Sequence, residues 1–279
     1  MRHVTTDGPL AAHTLARGDG TPLVLLPGFP IDARVWVDVV RHLPVGRTVI
    51  AVDPPGLGRS PDGEAVAHAL GAGPEPSLET SADAVAATVR AAGLDRVVVA
   101  GLSMGGYVAM ALVERHPDLV AGLALVDTRS TPDDDPGRAN RLRVADAVLA
   151  SGDLTELAGT PAMQLSPVSI DTRPELVEQV LAWIGDQRPS GVAWSQRAMG
   201  ARPDRTRVLA GFRAPAVVVV GDQDRITPVP TAEHMMDVLP DAELVVVPGA
   251  GHLAVIEDPG TVAGALQRLL ERVDRGTAA

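Results

Sequence analysis

Val97-Val98-Val99-Ala100-Gly101-Leu102-Ser103-Met104-Gly105-Gly106 carries an apolar, β-branched run straight into Gly-x-Ser-x-Gly. A serine flanked by such minimal residues fits a sharp turn between a strand and a helix, where any larger neighbour would clash. The turn lifts the hydroxyl clear of the sheet edge and sets it beside the next helix's N-terminus. Short motifs arise by chance, so the context decides. Residues 97–100 suit a parallel strand buried on both faces. Tyr107 to His116 holds no Gly or Pro and stops before Pro117, which reads as a helix. Ser103 is therefore a candidate nucleophile.

Working outward, buried-type strands are expected at Pro22–Leu26, Thr48–Val52, Arg96–Ala100, Leu123–Val126, Ala216–Val220 and Leu244–Val247. Helical patterns fall at Ala33–Leu43, Thr80–Ala92, Met104–Arg115, Thr231–Leu239 and Thr261–Val273. Strands alternating with helices specify an α/β fold, a mostly parallel central sheet with helices on both faces. The alternation breaks once. Between Thr128 and about Arg207 no strong strand appears, far beyond the few residues of an ordinary connection. Helical patterns near Arg138–Ala150, Asp153–Leu157, Arg173–Asp186 and Gly191–Met199 make this stretch a helical insertion. The expected organisation is a core of residues 1–128 and 208–279 with a cap of residues 129–207 over the carboxyl edge of the sheet, where ligands of open α/β sheets bind.

Composition narrows the function. The chain has 279 residues, enough to bury one large core, and its 46% apolar and 21% charged residues are ordinary for a soluble globular protein. A formal charge of −11 with no basic block argues against nucleic acid or an anionic membrane surface as partner. No run of about 18 apolar residues could span a bilayer. No apolar segment follows Met1-Arg2-His3-Val4-Thr5-Thr6-Asp7 as in a secretory leader, so a cytoplasmic enzyme is expected. With no cysteine there is no thiolate nucleophile and no Cys-ligated metal. No metal-ligand cluster and no cofactor is implied, and homo-oligomerisation is left open.

A serine hydroxyl needs a base within hydrogen-bond reach, and the base needs a carboxylate to orient it. Two loops follow strands at the same sheet edge: Gly221-Asp222-Gln223-Asp224-Arg225-Ile226-Thr227-Pro228, then Pro248-Gly249-Ala250-Gly251-His252. The chain order Ser, Asp, His is the one expected of an α/β-hydrolase. His252 alone among seven histidines combines a strand-end position with a Gly-x-Gly-His context. His3 and His13 precede the core, His42 and His116 sit near helix ends, His68 falls in a loop and His234 on a helix.

Five segments in order, Leu26–Pro30, Asp53–Ser60, Gly101–Gly106, Gly221–Pro228 and Gly249–His252, make the chain resemble the α/β-hydrolase superfamily over nearly its whole length. It is similar to the capped, Ser-nucleophile branch that includes 3-oxoadipate enol-lactonases and small carboxylesterases. The resemblance implies Ser103 as nucleophile, Asp224 as orienting acid and His252 as general base. Asp127 and Asp222 are the rival acids, with Asp222 more suited to fixing its loop. The backbone N–H groups of Phe29 and Met104 are the expected oxyanion donors, although Pro27-Gly28 stands where most relatives carry His-Gly. Asp53–Ser60 reads as a tight turn closed by Ser60 and fails as a dinucleotide motif.

The six aromatic residues are few enough for their placement to inform. Tyr107, Trp183 and Trp194, with Met163 and Met199, are candidates for an apolar acyl pocket. The expected activity is hydrolysis of a small carboxylic ester or lactone through an acyl-enzyme on Ser103. A carbon–carbon bond hydrolase and a perhydrolase would use the same three residues, and a non-catalytic binding protein on this fold is the rival of another class.

Overall fold

All six expected strands are present in a computed structural model that describes residues 2–4, 8–44 and 46–277, with a seventh ahead of them. Met1, Thr5, Thr6 and Asp7, from the stretch examined for a leader, lie outside the described residues. The strands are β1 (Arg2–Val4), β2 (Ala12–Leu26), β3 (Arg47–Val52), β4 (Val97–Leu102), β5 (Val120–Val126), β6 (Ala216–Gly221) and β7 (Ala242–Val247). The helices are α1 (Val37–His42), α2 (Gly63–Ala69), α3 (Leu78–Ala91), α4 (Met104–Arg115), α5 (Asp135–Ser151), α6 (Thr160–Gln164), α7 (Pro167–Thr172), α8 (Pro174–Gly185), α9 (Pro189–Gly200), α10 (Thr206–Gly211), α11 (Val229–Met236), α12 (Ala254–Glu257) and α13 (Pro259–Thr277).

One mixed sheet organises the chain. The strands β2, β4, β5, β6 and β7 lie side by side in that order and all run parallel. The start of β2 instead pairs antiparallel with β1, and β3 pairs antiparallel with the first part of β2, from Ala12 opposite Val52 to Asp19 opposite Arg47, after which β2 turns so that Leu23, Val24 and Leu25 lie opposite Val49, Ile50 and Ala51. Gly18 and Gly20 interrupt the apolar pattern of β2 and hid its first half from sequence reading. Gly18 has a purpose, because a Cβ there would stand 2.2 Å from the Gly46 backbone of the facing turn. Both β4 and β5 are buried at every position, which is why they read as unbroken apolar runs rather than alternating ones.

The parallel strands put the carboxyl ends of β4, β6 and β7 on one edge. The loops carrying Ser103, Asp224 and His252 leave from those ends. Helices α4 and α13 both pack on β5, α3 packs on α4, and α11 packs on β6 and β7. Between β5 and β6 the described chain forms helices only, from α5 to α10, with α5 laid against α9. The short helices α2, α6, α7, α10 and α12 are additions to the expected set, each too short for a clear 3.6-residue period. His68, expected in a loop, lies on α2, and His13, expected ahead of the core, is a buried residue of β2. Among the described residues, no helix is long and apolar enough to cross a membrane.

Candidate active site

Ser103 is the last residue before α4, held at φ 51° and ψ −111°. This left-handed backbone is costly for a residue with a side chain, and its neighbours explain how it persists. The Ser103 amide donates to the Val126 carbonyl at 2.9 Å, and Thr128 Oγ1 donates to the Ser103 carbonyl at 2.8 Å. The glycines of the motif are where backbone meets backbone. A Cβ on Gly101 would lie 2.3 Å from the Gly105 carbonyl oxygen, and one on Gly105 would lie 2.2 Å from that of Leu26. The small residues flanking Ser103 are thus required by the closeness of β4, α4 and the end of β2.

His252 lies between Ser103 and Asp224. Its Nδ1 is 2.7 Å from Asp224 Oδ2 and its Nε2 is 2.8 Å from Ser103 Oγ. A carboxylate can only accept, so Nδ1 carries the hydrogen and Nε2 is left to accept from the serine. On its other oxygen Asp224 accepts from the amides of Ile226 and Thr227 at 2.8 and 3.0 Å, and Thr227 Oγ1 donates at 2.7 Å to the same Oδ2 that meets His252. Burial pushes the Asp224 carboxyl up. The hydrogen bond and charge of His252, with the Thr227 bonds, outweigh that and hold it below the usual carboxylate range.

The other two aspartates have different work. Asp222 Oδ1 accepts from the Gly249 amide at 2.8 Å, tying the two loops together. Asp127, fully buried at φ 44°, accepts from the amides of Gly221 and Ala254 at 2.9 and 3.1 Å. Burial, with the nearby charge of Asp224, pushes the Asp127 carboxyl well above its ordinary value. Neither makes a hydrogen bond to His252.

Met104 directly follows Ser103, and Phe29 lines the same cavity as the serine. A Cβ on Gly28 would touch Ser103 Cβ at 3.4 Å, so the Pro27–Phe29 loop lies directly against the Ser103 side chain. Met104 opens α4, where first-turn N–H groups have no intrahelical acceptor. The Asp53 turn is structural: its buried carboxylate accepts from the amides of Ala33 and Arg59, both at 2.9 Å, and Ser60 Oγ donates to the Asp53 carbonyl.

Ser103 and His252 open into a cavity of about 360 Å³. Phe29, Tyr107, Met163 and Met199 line it, together with Asn140, Arg141, Gln164, Gln196 and Ile226. The expected apolar pocket is corrected in two respects. Trp183 and Trp194 are not part of this wall: Trp183 is packed within α8, and Trp194 packs against Gly63 and faces a separate small apolar cavity that Met104 also lines. Both tryptophans are consumed by helix packing. The insertion wall, moreover, is mixed: Val144, Leu157, Met163 and Met199 stand beside Asn140, Arg141, Arg143, Glu156, Gln164 and Gln196.

Gln164 escaped the sequence reading altogether. Its Nε2 donates to the Phe29 carbonyl at 2.9 Å, and its own carbonyl accepts from the His252 amide at 2.6 Å. Nothing in the sequence marks it, since it sits in a five-residue helix without a motif. Thr227 was visible within Asp224–Pro228 but carried no role until its bond to Asp224 was seen. Among the described residues, no group of three or more His, Asp or Glu side chains could hold a metal ion.

Comparison with known proteins agrees with this fold. The family model for the alpha/beta hydrolase fold matches residues 21–259. A pimeloyl-[acyl-carrier protein] methyl ester esterase of Aromatoleum aromaticum is 30% identical over 266 residues, covering 91% of this chain and 98% of that protein. A thermophilic esterase from Thermogutta terrifontis, solved with malate bound, superposes with a TM-score of 0.88 at 32% identity, covering 98% of this chain and all of that one. The enol-lactonase of Burkholderia xenovorans shares the fold at a TM-score of 0.79 and 20% identity, covering 97% of this chain and all of that one. With its Ser103 turn, its strand order and a family match over most of its length, the chain belongs to the alpha/beta hydrolase fold family.

Proposed function

We propose that the protein hydrolyses a small carboxylic ester or lactone through an acyl-enzyme on Ser103. The observation that carries this reading is the continuous Ser103–His252–Asp224 hydrogen-bond chain, at 2.8 and 2.7 Å, opening into the cavity. His252 Nε2 takes the Ser103 proton as Oγ attacks the carbonyl carbon. The oxyanion is stabilised by the backbone N–H groups of Phe29 and Met104. His252 then delivers the proton to the leaving alkoxide. Water, deprotonated by the same Nε2, attacks the acyl-enzyme, and the acid leaves with Ser103 restored. Asp224 holds the imidazole in the tautomer this cycle needs and offsets the charge on the imidazolium.

Residues 129–207 act in this reading as a cap domain, supplying the outer wall of the cavity and excluding water from it. Esterase activity in two relatives of at least 30% identity supports ester hydrolysis for this chain. Initial rates on a panel of 4-nitrophenyl esters and five- and six-membered lactones test it, with the acid product identified by mass spectrometry. The proposal requires turnover of at least one class and its loss in Ser103→Ala. A folded protein inert on every ester and lactone, yet cleaving a carbon–carbon bond or forming a peracid, would replace it.

A further inference from the structure

The loop that carries His252 has little stiffness of its own. It runs Pro248-Gly249-Ala250-Gly251-His252, with Gly249 at φ 71°. Yet Nε2 has to stand 2.8 Å from Ser103 Oγ, and a misplacement of about 1 Å costs a reaction about 10²-fold. The amides on either side of the histidine show where the stiffness comes from. That of Ala254 reaches the core, donating to Asp127 Oδ2 at 3.1 Å. That of His252 donates to the Gln164 carbonyl, in the insertion. That of Gly251 donates to Glu257 Oε1 at 2.7 Å.

Glu257 ends α12 and is buried. Its other oxygen, Oε2, accepts from the Ser166 amide at 2.9 Å. One carboxyl group therefore bridges the histidine loop and the insertion, with one main-chain amide on each oxygen. The two segments touch directly as well. A Cβ on Gly251 would stand 2.5 Å from the Ser166 nitrogen and 2.7 Å from the Gln164 carbonyl oxygen, so backbone lies on backbone. Arg173 fastens the same corner, donating from Nη1 to the Glu257 carbonyl at 2.7 Å and from Nη2 to Ser169 Oγ at 2.6 Å.

A carboxyl group is costly to bury, so its two bonds call for a reason. Both end beside the histidine: Gly251 precedes it, and Ser166 lies two residues from the Gln164 carbonyl that holds its amide. Only a side chain with two acceptor oxygens serves both donors. Glutamine has the same shape but one acceptor, and its NH2 would face the second amide whichever way it turned. Aspartate has both acceptors and is one methylene too short to span them.

Resting on the hydrolase reading above, we propose that Glu257 is a positioning residue for the base, fixing His252 against the seated insertion by bridging the Gly251 and Ser166 amides. Glu257→Gln and Glu257→Asp test it, each followed by ester kinetics, fluorophosphonate labelling and amide hydrogen exchange. Both variants are expected to lower kcat by about tenfold or more, with KM within about threefold, and to slow labelling of Ser103 in parallel. Exchange should quicken in peptides covering residues 249–254 and 164–166 while those of β4 and β5 keep the wild-type rate. In wild type itself the Gly251 and Ser166 amides should be protected, a readout that does not depend on either variant folding, and rapid exchange there would overturn the proposal. A lowered melting temperature with wild-type kcat and labelling rate would make Glu257 a packing residue and overturn it too. So would a loss in Glu257→Gln that Glu257→Asp does not share, since the acidic group rather than the bridge would then be at work. A wild type inert on every ester and lactone strikes the hydrolase reading, and labelling and exchange then decide this one by themselves.

Discussion

The amide of His252 donates to the backbone carbonyl of Gln164 at 2.6 Å, so this histidine hangs from the helical insertion as well as from the core. The Gln164 side chain extends the tie to the Phe29 carbonyl at 2.9 Å. One insertion residue thus braces the loop holding the proposed base and the loop holding a proposed oxyanion donor.

Gln164→Ala removes only the second of these ties. A single oxyanion donor contributes about 10²–10³ in kcat, so a donor that is misaimed rather than lost should cost about tenfold. Steady-state kinetics should show that fall in kcat with KM within about threefold. A lowered melting temperature with normal kcat would make Gln164 a packing residue instead.

Two of the aspartates near the site, Asp224 and Asp222, should separate cleanly. Asp224→Asn disturbs the tautomer of His252 and should lower kcat by about 10⁴. Asp222→Asn, which alters only the bond to the Gly249 amide, should leave kcat within about threefold. Near-normal turnover in Asp224→Asn would move the orienting role to another residue.

Gly105→Ala puts a methyl group 2.2 Å from the Leu26 carbonyl oxygen and 2.6 Å from its carbon. Both are backbone atoms of the central sheet and cannot swing aside. Overpacking of this kind costs about 3 kcal/mol, readable as a lowered urea midpoint. An unchanged midpoint would contradict the close approach of β2 and α4.

Asp133→Asn removes the carboxylate on which the guanidiniums of Arg129, Arg141 and Arg202 converge. Breaking a buried ion pair from one side costs about 3 kcal/mol at neutral pH. Burial would raise the Asp133 carboxyl, but the hydrogen bonds of Arg202 and Arg141 dominate and hold it low in the folded state. Its stabilisation is complete above the unfolded value of about 3.9 and is lost as pH falls through the lower folded value. Urea denaturation should therefore find wild type and variant far apart at pH 7 and converging below about pH 4. A gap independent of pH would show that Asp133 acts by packing rather than charge.

What could be read from the chain follows a physical line. Strands β4, β5 and β6 were plain because burial on both faces demands unbroken Val, Leu and Ala, and Ser103 was plain because steric closeness demands Gly101 and Gly105. The loops of Asp224 and His252 were legible as strand-end positions on one edge. Met163, Tyr107 and Met199 do line the cavity. Trp183 and Trp194 misled because a large aromatic on an insertion helix packs against a neighbouring helix as readily as it faces a ligand. Gln164 and the Asp133–Arg141–Arg202 cluster were invisible because their roles depend on contacts between distant segments, which no local pattern records. The start of β2 was missed because its glycines serve a turn opposite.

The central claim is that Ser103 is an activated nucleophile. Fluorophosphonate labelling of the purified protein, followed by peptide mass spectrometry, tests it most directly. The account predicts one phosphonyl group per chain, located on Ser103, with none in Ser103→Ala and slowed labelling in His252→Ala. A folded wild-type protein that takes up no label, or takes it up at another residue, would contradict the account.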